Sequence, residues 1–307
     1  WETETHFYCG YTIFNRPAKY RIVKMNYVLL LLPILTQARI SIKMVASTEE
    51  NVAKIEYDGR EEHVITDNDR ETFRLSDDMV KTAVEKYFGE KPTDVYLKSK
   101  TPWGDLYEKY NWPQVSIILS PIRAKVLGVQ SEPVIINSQE FSNNSTEDAT
   151  FTATIFQTIE DTVENSWSTG GEFTLGQDIS YSCEFAGVGV SGTTSISYTA
   201  SWGQETSKSK SITVGSSTGV EVTVKPGKVT QVSITATRGT MDAQVDYKAK
   251  LEGSVVCNYE NTFKGHHFWS LNINNLLPAA GLPKEIASRE TIKVGFYSNV
   301  NANVKSV

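Results

Sequence analysis

The chain offers few groups for chemistry. It has four histidines. His266 and His267 are adjacent, which in a strand points them to opposite faces, and no cluster of Cys, Asp or Glu stands around them at metal-ligand spacing. His6 and His63 stand alone. Glu160, Asp161 and Glu164 form an acidic group that, with period-two geometry and no companion motif, reads as a solvated face or a barrel rim. There is no GxSxG, P-loop, dinucleotide fingerprint or paired CxxC. The expectation is no enzyme, no catalytic residue, no metal and no cofactor.

The remaining chemistry is transfer between water and hydrocarbon, and Phe151 to Val214 is patterned for it. Going in, apolar residues hold odd positions: Phe151, Ala153, Ile155, Ile159, Val163, Trp167, Phe173, Leu175, Ile179, Tyr181, Cys183 and Phe185. Coming out they hold even ones: Val188, Val190, Ile196, Tyr198, Ala200, Trp202, Ile212 and Val214. A period of two is the strand signal. With Ala186 and Gly187 as a two-residue turn, Phe185 would oppose Val188, Cys183 would oppose Val190 and Ile179 would oppose Thr194. Both apolar series then share one face.

An ordinary hairpin covering a β-sandwich would show the same alternation. Such a hairpin usually turns Lys, Glu and Arg to solvent. Between Phe173 and Trp202 the polar side is almost entirely Ser, Thr and Gly, with Asp178 and Glu184 as its only charges. A segment that must cross a bilayer gains from this, because each charge in hydrocarbon costs about 2.5–3.5 kcal/mol even on lenient scales. Each arm exceeds the roughly 9–11 residues of a tilted membrane strand. A lone hairpin would leave unpaired edges in lipid, so spanning requires several copies closed into a barrel.

The runs NNSTEDATFTATIF, SWSTGGEFTLGQDISYSCEFAGVGVSGTTSISYTASWGQETSKSK, VEVTVKPGKVTQVSITA and DAQVDYKAKLEG resemble the pore-forming module of aerolysin-like toxins. The likeness is to the clostridial epsilon-toxin and mosquitocidal-toxin branch, and to spherulin-like and natterin-like proteins. It covers Ser116 to Gly253, with a weaker match of LYEKYNWPQVSIILSPIRAKVLGV before it. It implies a mainly β, elongated aerolysin-like fold of long antiparallel twisted strands with a small α/β N-terminal head. Some members of the family are activated by terminal cleavage, for which Lys284, Arg289 and Lys293 are basic positions. The corresponding domain of the epsilon-toxin branch resembles a receptor-binding head rich in aromatics.

The other elements must position this hairpin. Residues 1–38 are expected to be a leader, with a signal-peptide-like segment at 25–38 (MNYVLLLLPILTQA). Removing it would take Cys9 and leave Cys183 and Cys257, either as two buried free thiols or as a disulfide tying tongue to strand end. Residues 39–115 are expected to form the head. There Ser76 is a plausible N-cap for a helix ending at Gly89, and a second short helix is placed from Thr101 to Tyr110. Trp103, Tyr107, Tyr110 and Trp112, near Tyr96, read either as a small core or as a receptor or sugar platform.

Residues 116–260 are the pore-forming β module with the hairpin at 173–202, and 261–307 a C-terminal return in shorter strands. Pro121 suggests an edge or bulge, and Lys225, Pro226, Gly227 and Lys228 a turn. Asn143 and Asn144 begin overlapping glycosylation acceptor sites.

A net charge of −6 argues against nucleic acid and against simple adsorption to anionic lipid. The functional expectation is a secreted pore-forming protein. It would bind an unknown receptor or glycan on a cell membrane, form a homo-oligomer and insert the hairpin as part of a transmembrane β-barrel. Phe173, Leu175, Ile179, Tyr181, Phe185, Val188, Val190, Ile196, Tyr198 and Trp202 would face lipid, and Asp178 and Glu184 the lumen. The alternative is a non-lytic carbohydrate-binding or storage protein of the same fold.

Overall fold

A computed structural model of the chain describes residues 40–168, 178–186 and 194–306, with the side chains of 216–218 excepted. The expected leader, Cys9, Phe173, Leu175, Val188 and Val190 lie outside the described residues. In chain order the elements are β1 (Ile40–Ala46), β2 (Lys54–Asp58), β3 (Glu61–Val64), α1 (Asp67–Thr72), α2 (Asp77–Phe88), β4 (Asp94–Tyr96), α3 (Leu106–Tyr110), β5 (Ser116–Asn143) and β6 (Ala149–Trp167). They continue with β7 (Asp178–Phe185), β8 (Thr194–Ser201), β9 (Thr206–Val224), β10 (Lys228–Glu252), β11 (Ser254–Phe263), β12 (His266–Asn272), α4 (Ile273–Ala279) and β13 (Glu285–Ser306).

The period-two runs become strands of unusual length. β5 has 28 residues, β10 25, β13 22, and β6 and β9 19 each, against a typical globular strand of about 5–6. They form one antiparallel six-stranded sheet in the order β3-β5-β10-β13-β6-β9. The fold is mainly β and elongated along these strands, as expected. The turn at 225–228 joins β9 to β10, with Gly227 at φ +67° where a side chain would be strained. Beside Pro121 the β5–β10 register shifts, Asp246 pairing with Arg123 and Tyr247 with Pro121, so Ile122 is the extra residue of a bulge.

β13 and β6 are paired only between Glu290–Gly295 and Thr162–Trp167. Farther along, the β6–β9 pair faces β10 across a second core of Ala153, Ile155, Ile159, Val214, Val222, Val224, Val232 and Ile234. There Asn137 Nδ2 and Gln139 Nε2 donate to Phe156 O (3.1 Å) and Thr154 O (2.9 Å), satisfying carbonyls on the strand edge that β13 leaves.

The C-terminal return is in short strands only as far as β12, which has seven residues; β13 has 22. β13 lies inside the large sheet, and its inward positions are Ser288, Glu290, Ile292, Val294, Phe296 and Ser298. Three polar residues among them break the apolar alternation that would have announced a long strand. Arg289 and Lys293 therefore sit in a strand paired on both sides at these positions or one side of them, a poor protease substrate.

The head draws on both ends of the described chain. β4 pairs with β11 and β11 with β12 in a three-stranded sheet, and β11 runs through residue 260 without a break. α2 begins with Ser76 Oγ accepting from Met79 N and ends at Gly89 at φ +109°, the two caps its sequence announces. α3 is shorter than expected, starting at Asp105, whose carboxylate caps Tyr107 N.

Gly239 of β10 lies opposite Phe296 of β13. A Cβ there would meet the Phe296 ring at 2.5–2.9 Å, so the ring lies over the bare glycine. Gly239→Ala is expected to lower stability by about 1–3 kcal/mol through overpacking, read as a lower urea midpoint with unchanged slope. Gly128→Ala, where a Cβ has open space, is the matched control and should change little.

Candidate membrane-inserting hairpin and its seat

β7 and β8 are antiparallel, with Ile179 opposite Ala200, Tyr181 opposite Tyr198, Cys183 opposite Ile196 and Phe185 opposite Thr194. The expected two-residue turn is therefore corrected: Phe185 meets Thr194, six positions beyond Val188. Packing decides the register. The expected alignment would set Tyr181 against Gly192, whereas the observed one stacks Tyr181 on Tyr198 with ring centres 4.8 Å apart and planes at 9°. Six is an even displacement, so both apolar series still share a face.

That face is turned inward. Ile179, Cys183, Phe185 and Trp202 are fully buried, and Tyr181, Ile196 and Ala200 nearly so. Ser195, Ser197, Thr199 and Glu184 are exposed, and Asp178 is half-buried and accepts from Ser201 Oγ at 3.2 Å. Phe185 packs on Phe296 (6.3 Å), and Trp202 lies edge-on to Trp167 (6.4 Å). The hairpin is thus an amphipathic layer seated on the large sheet.

Three polar contacts fix the seat. Glu290, fully buried, accepts at Oε1 from Tyr181 OH (2.7 Å) and Asn165 Nδ2 (2.7 Å), and at Oε2 from Tyr247 OH (2.8 Å). Asp161, also fully buried, accepts from Thr194 Oγ1 (3.4 Å) and Tyr297 N (3.2 Å). Trp202 Nε1 donates to Ser288 Oγ (2.9 Å). Burial raises the Glu290 carboxyl above its ordinary range. It likewise pushes Asp161 up to about 6, against weaker opposing effects from Tyr297 N, Thr194 and Lys210.

Asp161 is thus no part of a solvated face, although Glu160 and Glu164 are exposed. Its odd position, between Ile159 and Val163, was the available signal. Glu290 and Ser288 were missed because β13 itself was.

The aromatic cluster divides. Tyr107 is buried, with its hydroxyl 2.7 Å from Tyr96 O and 3.0 Å from Ser254 O; it is a core residue, not a receptor contact. Trp103 and Tyr110 are exposed. Trp103 packs against Tyr96 and Phe268, while Tyr110 stacks on Trp112 at 4.8 Å. Tyr110 and Trp112 form one wall of a groove of about 560 Å³ completed by residues 265–270, His266 and His267 included. His267 Nδ1 lies 2.8 Å from Tyr259 O.

Cys183 and Cys257 are free buried thiols in different sheets, so the tongue is not tied by a disulfide. Asn143 is buried, its amide donating to Glu147 O (2.8 Å) and Val224 O (2.7 Å). A glycan attached there would replace one of these two N–H donors on a buried side chain, and Asn144 alone of the two acceptors is exposed.

No protein-family model matches the chain. It is 38% identical over 253 residues to U-megalopygitoxin(8)-Mo12 of Megalopyge opercularis, covering 82% of this chain and 87% of that one. U-megalopygitoxin(8)-Mc8 of Megalopyge crispata is 37% identical, with coverage of 83% and 88%. Among solved structures, the parasporin-2 toxin of Bacillus thuringiensis has the same fold at a TM-score of 0.64 and 17% identity, over 81% of this chain and 99% of that one. The chain belongs to the U-megalopygitoxin(8) family and has the fold of the parasporin-2 toxin. These relatives are named as toxins.

The seat carries a pH signature. The folded-state value of Asp161, about 6, exceeds the usual carboxylate value near 4. The folded chain therefore holds a proton that the unfolded chain gives up between about pH 4 and 6, and this contribution to stability is lost as pH rises through that window. Glu290 acts in the same direction, while Asp69 and Asp246, whose values are lowered, act in the opposite one. Asp161→Asn is expected to match wild type below about pH 4 and to exceed it above pH 6 by on the order of 2–3 kcal/mol. Melting curves of the two proteins from pH 4 to 8 check this.

Proposed function

We propose that the protein is a secreted toxin that binds a target-cell surface, oligomerises, and converts Phe173 to Trp202 into one hairpin of a transmembrane β-barrel. The observation that carries this reading is the two-faced character of β7 and β8. Their apolar face is buried at Ile179, Tyr181, Cys183, Phe185, Ile196 and Ala200 and half-buried at Tyr198, and their polar face is Ser and Thr with two carboxylates. Turning that apolar face from the protein core to lipid exchanges one apolar environment for another. The hydroxyl face meets water in either state.

The hairpin brings no basic charge through the membrane, and its lumen would carry Asp178 and Glu184. The conducting state is then cation-preferring. Trp103, Tyr110 and Trp112 beside the 265–270 groove are the candidate receptor or glycan contacts, since exposed Tyr and Trp supply rigid amphipathic contact area. A non-lytic carbohydrate-binding protein would use the same groove and leave the hairpin seated.

Dye release from receptor-bearing membranes, read beside a detergent gel for heat-stable oligomers, tests the reading. The wild-type chain is expected to give both, and replacement of Val188 and Val190 by Asp to reduce release at least tenfold while surface binding persists. Binding without release or oligomer under every trigger would favour the carbohydrate-binding reading. In a salt gradient the reversal potential is expected to show cation preference, diminished by Glu184→Lys; anion preference in the wild type would contradict the lumen assignment.

A further inference from the structure

In a closed barrel every strand is paired on both edges. β8 ends its four-stranded sheet, ordered β2-β1-β7-β8, so its outer edge is open in that sheet. The outer edge of β7 is taken. All seven residues of β1 pair with it, from Ile40 against Ile179 to Ala46 against Phe185, and Ala186 N–H extends the ladder by donating to Ala46 O at 2.9 Å. β1 is held from both sides: its Ile40, Ile42, Met44 and Ala46 are buried in the same core as the hairpin, and β2 pairs antiparallel along its other edge.

The direction of the β1–β7 pairing matters most. It is parallel, the one parallel contact among the described strands. Identical hairpins arranged in a ring present β8 of one copy to β7 of the next, and those two strands run antiparallel. β1 thus holds the edge of β7 that a neighbouring copy needs, in an orientation that ring pairing cannot use. β2 is mostly exposed, and Gly59, at φ +86°, with exposed Arg60 joins this β1–β2 pair to β3, so the pair has a short connection on which to swing away.

We infer that β1 is an autoinhibitory strap over the edge of β7 that a second copy of this chain takes on assembly, so that β1 must leave before the ring can close. This rests on the pore-forming reading above. It also separates two events: surface binding by the head, which the strap leaves alone, and oligomerisation, which it blocks.

The chain supplies half of its own test. Met44 lies opposite Cys183 with both side chains buried on the same face, and neighbouring strands lie about 4.8 Å apart, within disulfide reach. Oxidised Met44→Cys is expected to bind membranes as wild type does, to form no heat-stable oligomer and to release dye at least tenfold more slowly, with reductant restoring both. Met44→Cys with Cys183→Ser should ignore the oxidant. If the core substitution impairs folding, Lys43→Cys with Ser182→Cys places the same link on the outer face. Oxidised protein, cross-linked by mass, that assembles and releases at the reduced rate would overturn the strap. Wild-type and reduced protein that bind but never release would overturn the pore reading, and the strap with it.

Discussion

A two-stranded layer has one apolar face and nothing of its own to cover it, and the rest of this structure is arranged around that constraint. β7 and β8 cannot bury Ile179, Tyr181, Phe185 and Ile196 against each other, because those residues lie on the same side. The six-stranded sheet supplies the missing surface through Trp167, Tyr247, Ile292, Val294 and Phe296. The length of its strands follows from serving two cores, one beneath the hairpin and one where β6 and β9 face β10. Only the first core involves the hairpin, so the second retains its packing partners whatever the hairpin does.

Within the seat, apolar burial provides the affinity and the polar groups provide the address. Two carboxylates in such a place are expensive, since a buried charge costs several kcal/mol unless it is fully paired. Among the described residues, no lysine or arginine hydrogen bond to either one is seen. Glu290 instead receives three neutral donors from β6, β7 and β10. A hydrophobic residue in its place would pack as well in many registers. The carboxylate accepts the Tyr181 hydroxyl in one.

Much of this was legible in the residue pattern. Parity alone identified the inward series of β6 to β9, Ser76 and Gly89 bracketed α2, and Pro226-Gly227 marked the turn into β10. What parity cannot supply is the partner. An alternating strand fits any register of even displacement equally well, and the contacts that go with the observed one, the stacking of Tyr181 on Tyr198 and the bonds of Tyr181 to Glu290 and Thr194 to Asp161, are invisible in one dimension. β13 was illegible for a different reason: Ser288, Glu290 and Ser298 occupy inward positions, so its inner face reads as polar. The composite head was beyond reach because β4 and β11 pair across some 160 residues of sequence, Val95 against Cys257, and no local signal encodes such a contact.

The buried carboxylates also give the seat a direction in time. While β7 and β8 cover them, Asp161 and Glu290 are pushed toward their protonated forms. Uncovered, each would regain water and shift back toward the ordinary carboxylate range. A hairpin coming back would then have to strip that water from both carboxyls before Tyr181 and Thr194 could settle again. The seat so built behaves as a ratchet, easier to vacate than to refill, and the same two side chains that specify the closed register oppose its restoration once it is lost.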